Sequence, residues 1–336
     1  MNPVILISSV GRRGQLIDCA RSAFRALNLT GSVFGVDCSA TAPGGYLVDQ
    51  FFLVPPCNDP EFLPCVLRIC ETNNVTLLIP TIDTELALYA AHQQAFVALG
   101  TAVAISSPAT VEICADKLAT HKWLVENGFP TVSSGTPEEV LENGLRWSYP
   151  LVVKPRRGSA SVGVLQINSE AMLRALTSER DDLVVQECAV GREHTLNVLV
   201  DQFGKCQCSV PHFRIEVRSG EVSKGVTVKH PGLMELARKI VEKLPGAYGA
   251  LNIQCFLDFA GRIQIVEINA RFGGGYPLTH QAGANFFKWM LEDLFRLPSS
   301  ASYDQWQGGV TMLRFDDAVF LPKPDRRNLQ PCLDSA

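Results

Sequence analysis

Residues 253–275 read IQCFLDFAGRIQIVEINARFGGG. Two apolar runs flank the turn Ala260-Gly261, the pattern of a β-hairpin. Strand side chains alternate between faces, so Glu267 and Asn269 point the same way, Arg271 follows on that face, and Gln254 sits on the partner strand. Ile265, Val266 and Ile268 surround Glu267, and an acid among apolar neighbours is costly unless a cation or a set of hydrogen bonds compensates it. Oxygen ligands from Gln254, Glu267 and Asn269 suit Mg²⁺, which keeps waters and phosphate oxygens in its remaining positions. A guanidinium at Arg271 can stabilise charge on a transferring phosphoryl group.

Upstream, VVKPRRGSASVGV (152–164) sets Lys154 at a strand end before a loop of Gly158, Ser159, Ser161 and Gly163. One ammonium and several backbone N–H groups suit phosphate oxygens, although the GxxxxGK[ST] spacing is absent and a plain hairpin turn reads equally well. In LVVQECAVGRE (183–193) the chain passes Gln186 and Glu187, turns at Gly191 and returns to Glu193. That places a carboxylate where ribose hydroxyls could donate to it while backbone groups read an adenine edge. In HFRIEVRSGEVSKG (212–225), Arg214, Glu216 and Arg218 alternate onto one strand face. The run is either a solvated charged surface or a set of substrate contacts that includes Lys224.

At the other end of the chain, VILISSVGRRGQL (4–16) leads from a strand through a glycine turn into a helix, and SVFGVD ends in Asp37. Those features suggest a dinucleotide fold, but the third glycine of its fingerprint is out of place. Ser9, Gly11 and Arg12 read as a loop facing a small molecule or phosphate, or as a structural turn. Thr81, Asp83 and Glu85 in IPTIDTEL lie at another strand end facing the same cleft, or Thr81 or Asp83 caps a helix. Strand and helix alternate to about residue 110, including one helix over ELALYAAHQQAFVAL, and imply a parallel sheet covered on both faces. From SPATVEICADKLATHKWLVENGFP the texture turns helical, after GREHTLNVLVD the strands become long and antiparallel, and the proline-containing tail after Leu297 reads as irregular.

The 336 residues are 46% hydrophobic and 19% charged with a formal charge of −4, an ordinary globular composition that disfavours nucleic acid or an anionic membrane as partner. No signal-peptide pattern and no membrane-length apolar run is evident, so a cytoplasmic location is expected. The eleven cysteines are scattered without a CxxC pair and read as reduced, mostly buried thiols.

Taken together, Lys117, Lys154, the loop 157–163, the QEC…GRE segment and VEINARFGGGYP resemble, in order and spacing, the ATP-grasp superfamily, and most closely its stand-alone carboxylate–amine ligases similar to the carbamoyl-phosphate synthase large subunit. The resemblance implies an ATP-grasp fold, α/β and α+β, with a Rossmann-like pre-ATP-grasp domain over 1–110, a small lid subdomain over 111–187 and a large subdomain over 188–336. It implies that Lys117 and Lys154 hold ATP phosphates under the loop Gly158, Ser159, Ser161 and Gly163. Gln186, Glu187 and Cys188 then form the adenine hinge, Glu193 the ribose acid, Gln254, Glu267 and Asn269 the Mg²⁺ (or Mn²⁺) ligands, and Arg271 the γ-phosphate arginine. Arg214 and Arg218, with Lys224 less firmly, would meet the substrate. INAR departs from the NPR of many relatives at Ala270, at a cost in rigidity and not in chemistry. The implied activity is ADP-forming amide synthesis through an acyl-phosphate, with a small-molecule carboxylate and amine as partners and a homodimer as a common assembly. The rival readings are an NAD-dependent oxidoreductase using the first βα unit and a non-catalytic ATP-binding module.

Overall fold

Val4–Ile7 forms strand β1, and the computed structural model, which describes residues 2–143, 147–158, 162–177, 180–321 and 330–331, buries Ile5, Leu6 and Ile7 completely. A run buried on both faces is what a central parallel strand requires. After it come α1 (Gly14–Ala26), β2 (Ser32–Asp37), β3 (Gln50–Leu53), α2 (Phe62–Thr72), β4 (Leu77–Ile79), α3 (Asp83–Ala91), α4 (Gln93–Ala98) and β5 (Ala102–Val103). The strands lie side by side in the order β3-β2-β1-β4-β5, all parallel. The helix expected over ELALYAAHQQAFVAL is in fact two: His92 leaves helical geometry at φ −113° and ψ 16°, ending α3 and opening α4.

Helices α5 (Pro108–Ala115) and α6 (Lys117–Glu126) follow, the second capped by Asp116, whose carboxylate accepts from the Leu118 amide at 2.9 Å. Next come β6 (Ser134–Gly135), α7 (Pro137–Glu142), β7 (Leu151–Pro155), β8 (Leu165–Ile167), α8 (Glu170–Thr177) and β9 (Leu183–Glu187). Their strands make a four-stranded antiparallel sheet, β6-β9-β7-β8, over a small core of its own that includes Val153, Ile167, Leu173 and Val185.

The remainder holds β10 (Arg192–Val200), β11 (Cys206–Arg218), β12 (Glu221–Thr227), α9 (Pro231–Lys243), β13 (Gly249–Leu257), β14 (Ile263–Asn269), α10 (Tyr276–Gln281), α11 (Phe286–Leu294), β15 (Thr311–Leu313) and β16 (Gln330–Pro331). Six of these strands form an antiparallel sheet in the order β14-β13-β10-β11-β12-β15. β15 falls in the tail that reads as irregular, but pairs with β12 through Lys224 to Val226, and β16 extends the first sheet beside β3. Local propensity could not show either, because an edge strand of two or three residues is made by its partner.

The large sheet has two unlike faces. On one, Leu196, Val198, Leu251, Ile253 and Ile268 join a core with Leu233, Ala237 and Ile240 of α9. On the other, Glu193, Thr195 and Asn197 of β10 lie beside Asn252 and Gln254 of β13, which face Asn269 and Glu267 of β14. The chain enters β10 through Gly191 at φ +117°, where a Cβ would come within 2.3 Å of the Leu257 carbonyl oxygen, so glycine alone permits this approach. Among the described residues nine cysteines are free thiols.

The first sheet delivers its strand ends to the cleft on a buried polar knot. Fully buried Glu85 accepts from Ser8 Oγ at 2.7 Å, Ser9 Oγ at 2.8 Å, and the amides of Thr81 at 2.7 Å and Ile82 at 3.2 Å. Removing a shared acceptor strands several donors without water. Glu85→Ala should therefore lose about 3 kcal/mol of stability, seen as a lowered urea midpoint with an unchanged slope.

Candidate active site

A cleft of about 550 Å³ lies between the polar face of the large sheet, the small sheet and the ends of the first-sheet strands. Lys154 reaches it from β7. Its side chain is 6% exposed, and among the described residues its ammonium has no hydrogen-bond or ion-pair partner. Burial pushes this group down to about 8, only partly opposed by the charge of Glu267. Lys117, in the first turn of α6, donates to the Gly158 carbonyl at 2.8 Å, while its own amide bonds Arg156 O at 3.0 Å. The two lysines thus face one space from different elements.

At the hinge, Gln186 Nε2 donates to Ser134 Oγ at 2.9 Å, and Glu187 accepts from Ser133 Oγ at 2.6 Å. Both side chains are tied to the β6 side, and sheet pairing ends at Glu187, so Cys188 and Ala189 line the cleft with backbone groups outside the ladder. Glu193 is ion-paired with Arg214, whose side chain is 5% exposed; burial raises Glu193 and Arg214 opposes that shift. Arg214 also donates to Gln254 Oε1 at 3.2 Å and to Gly220 O at 2.8 Å. His212, fully buried nearby, is pushed down to about 3 by burial and is therefore neutral at working pH.

At the end of β14, Arg271 makes a two-point contact with Asp83, Nε to Oδ1 at 2.8 Å and Nη2 to Oδ2 at 2.5 Å, and Nη1 reaches Phe272 O at 3.1 Å. Gln254 faces Glu267 directly across β13 and β14, and Asn252 faces Asn269. Asn269 Nδ2 donates to Glu267 Oε1 at 3.1 Å and to Asn252 Oδ1 at 3.2 Å, which turns its carbonyl oxygen away from those partners. Glu267 has no ion-pair partner among the described residues, so its charge is available. No three His, Cys, Asp or Glu side chains converge among the described residues. A divalent ion would rest on one carboxylate, the amide oxygens of Gln254 and Asn269, and ligand oxygens. That hard-oxygen set fits Mg²⁺ and excludes a metal that prefers sulfur or imidazole.

Several candidates lie elsewhere. Arg218 and Lys224 do not line the cleft: both pair with Glu216, at 2.8 and 2.6 Å, and are exposed or half-exposed. Register shifts on either side of Glu216 break the alternation that would have put Arg218 beside Arg214. Arg12 is exposed, and its neighbour Arg13 lines the cleft instead. The Ser9 hydroxyl is spent on Glu85, and the Gly11 amide on Asp37 Oδ2 at 2.9 Å. Asp37 also accepts from the Ser39 amide at 2.9 Å, which leaves little of it for a ribose and weakens the dinucleotide reading. Thr81 lines the cleft, but its hydroxyl donates to Ser8 O and Ser9 O, both at 2.8 Å. Gly163 sits between Val162 and Val164, which do line the cleft; Ser159 and Ser161 lie outside the described residues. The sequence reading missed Arg13, Glu221 and Asn252. Only Asn252 had a local signal, standing two residues before Gln254 on the same face.

Three sheets closing on a lysine-lined cleft with a single-carboxylate oxygen site define an ATP-grasp architecture. The chain belongs to the ATP-grasp superfamily: residues 114–275 match the ATP-grasp domain family and residues 5–104 match the PylC-like N-terminal domain. Members of this superfamily are mostly ATP-dependent carboxylate–amine ligases. The chain is 23% identical over 232 residues to the arginine-specific large chain of carbamoyl phosphate synthase from Bacillus subtilis, 64% of this chain and 22% of that one. It is 36% identical over 195 residues to D-alanine–D-alanine ligase from Corynebacterium aurimucosum, 49% of this chain and 53% of that one. Its matches thus span about half or less of these relatives' lengths. The biotin carboxylase domain of Hydrogenobacter thermophilus 2-oxoglutarate carboxylase, solved as a dimer with MgADP and bicarbonate, shares the fold with a TM-score of 0.72 and 16% identity over 93% of this chain and 73% of that one. No helix among the described residues is long and apolar enough to cross a membrane.

The depressed Lys154 gives the site a proton signature. In the free protein its ammonium discharges as pH rises through about 8, and a polyphosphate beside it favours the charged form, so binding above that pH takes up a proton. At about pH 9 the calorimetric heat of MgADP binding should vary between buffers of unequal ionisation enthalpy in the sense of proton uptake. The variation should vanish at about pH 6 and in Lys154→Met.

Proposed function

We propose that the protein is an ATP-dependent carboxylate–amine ligase that works through an acyl-phosphate and releases ADP and phosphate. The observation that carries this reading is the convergence on one cleft of a buried ammonium, Lys154, without a hydrogen-bond or ion-pair partner among the described residues, an oxygen set centred on Glu267, and the fixed guanidinium of Arg271. A carboxylate oxygen attacks the γ-phosphorus as the bond to the ADP oxygen breaks. The amine nitrogen then attacks the acyl carbon, phosphate leaves, and the amine gives up a proton.

Little of this needs covalent participation by a side chain; positioning and charge neutralisation do most of the work. Lys117 and Lys154 would neutralise phosphate oxygens, with backbone groups at Cys188 and Ala189 against the adenine. Glu193 would meet the ribose with its orientation set by Arg214. Gln254, Glu267 and Asn269 would hold Mg²⁺, which when bound neutralises the phosphates at the reacting end. Arg271 cannot swing, because Asp83 holds two of its donors and Phe272 O a third; Asp83 also balances its charge, so what Arg271 would offer the transition state is a donor oriented in advance.

Two substitutions separate chemistry from architecture. Glu267→Gln should lower ATP-dependent phosphate release, assayed with Mg²⁺ and paired amino acids, by about a hundredfold or more, with the melting midpoint unchanged. Arg271→Ala should abolish release and also cost about 3 kcal/mol of stability, because it strands the half-buried Asp83 carboxylate. Failure of the wild-type chain to bind MgADP in calorimetry would refute the reading.

A further inference from the structure

Beside the Arg271–Asp83 pair, two guanidinium groups converge on one carboxylate. Glu221 Oε1 lies 3.3 Å from Arg13 Nη1, and Glu221 Oε2 accepts from Arg314 Nη1 at 3.1 Å. Three distant segments meet here: the turn before α1, the first residue of β12, and the residue after β15. The two arginines are anchored independently of Glu221, since Arg13 Nη2 donates to Thr81 O at 3.1 Å and Arg314 Nη2 to Gly274 O at 2.6 Å. Among the described residues Arg314 Nε is buried without a partner.

Glu221 is held differently. Its carboxylate contacts only these two guanidiniums among the described residues, its side chain is 38% exposed, and it follows a turn at Ser219 and Gly220 with φ of +48° and +76°. A Cβ on Gly274 would lie 2.7 Å from the Glu221 carboxyl carbon, so the space Glu221 fills exists because position 274 has no side chain. Two cations facing one carboxylate leave a net positive charge, and withdrawal of Glu221 would leave both cations to an incoming anion.

We propose that Arg13 and Arg314 form a carboxylate-binding subsite, and that Glu221 occupies it until an anchoring carboxylate of the substrate displaces it. The inference deepens the ligase reading and rests on it only for the identity of the occupant as a substrate. The carboxylate bound here is an anchor and not the reacting acid, because a guanidinium on each of its oxygens stabilises the negative charge and lowers its nucleophilicity. Glu221 thereby acts as an internal competitor, and affinity is reduced by the fraction of time it is in place.

The test is the dissociation constant of the full-length protein for acetate, succinate and L-alanine, measured calorimetrically with and without MgADP. Glu221→Gln should tighten succinate binding about tenfold, by removing the competitor, and Arg13→Met with Arg314→Met should abolish it. If the double variant does not fold, Arg314→Lys, which keeps the charge but loses the planar fork that holds the Gly274 carbonyl and the carboxylate together, should weaken binding on its own. Equal or weaker binding by Glu221→Gln overturns the proposal, as does binding that survives loss of the arginines, or no binding of any of these carboxylates by any variant. Loss of MgADP binding by the wild-type chain would instead overturn the ligase reading and leave the anion subsite standing.

Discussion

The two-point contact between Arg271 and Asp83 is the constraint from which the site takes its shape. One partner ends a strand of the large sheet and the other starts a helix of the first sheet, 188 positions apart. A planar guanidinium meeting a carboxylate through two parallel hydrogen bonds fixes orientation as well as distance. The first domain is thereby clamped against the end of β14, where Glu267 and Asn269 lie. Phe272, next in the chain, stacks on Phe287 with ring centroids 4.9 Å apart and joins a core shared with Ile5, Ile7 and Leu16 of the first domain. An ionic contact sets the angle, and apolar burial supplies the adhesion behind it.

This arrangement accounts for how the first domain contributes. Its strand-end polar groups are almost all consumed internally, in the knot around Glu85 and the bonds from Asp37 to Gly11 and Ser39. What it presents to the cleft is charge on longer side chains, Arg13 and Asp83. A fold that grips dinucleotides with its glycine turn has here become a rigid support.

Much of this was legible in the sequence because it depends on short-range periodicity. Glu267 and Asn269 share a face for the same reason that any two strand residues two apart do, whereas a register shift between Gln254 and Cys255, which no pattern announces, brings Gln254 opposite Glu267. Lys154 was legible as a cation at a strand end. What failed was whatever a local irregularity or a distant partner decides. The shifts around Glu216 turn Arg218 outward, and no composition signal announces a bulge. Arg13 and not Arg12 lines the cleft, a difference of one position that a pattern reading does not resolve. Glu221 and Arg314 are unremarkable in sequence and acquire meaning only when β12 and β15 pair and bring them together.

The unlike faces of the large sheet carry a consequence for how such a protein can change. Leu196, Ile253 and Ile268 serve cohesion with α9, whereas Thr195, Gln254 and Glu267, one step along the same strands, serve the cleft. Because neighbouring positions answer to different demands, residues toward the cavity can be exchanged in descent without loosening the interior. The scaffold can acquire new clients while its architecture stays put.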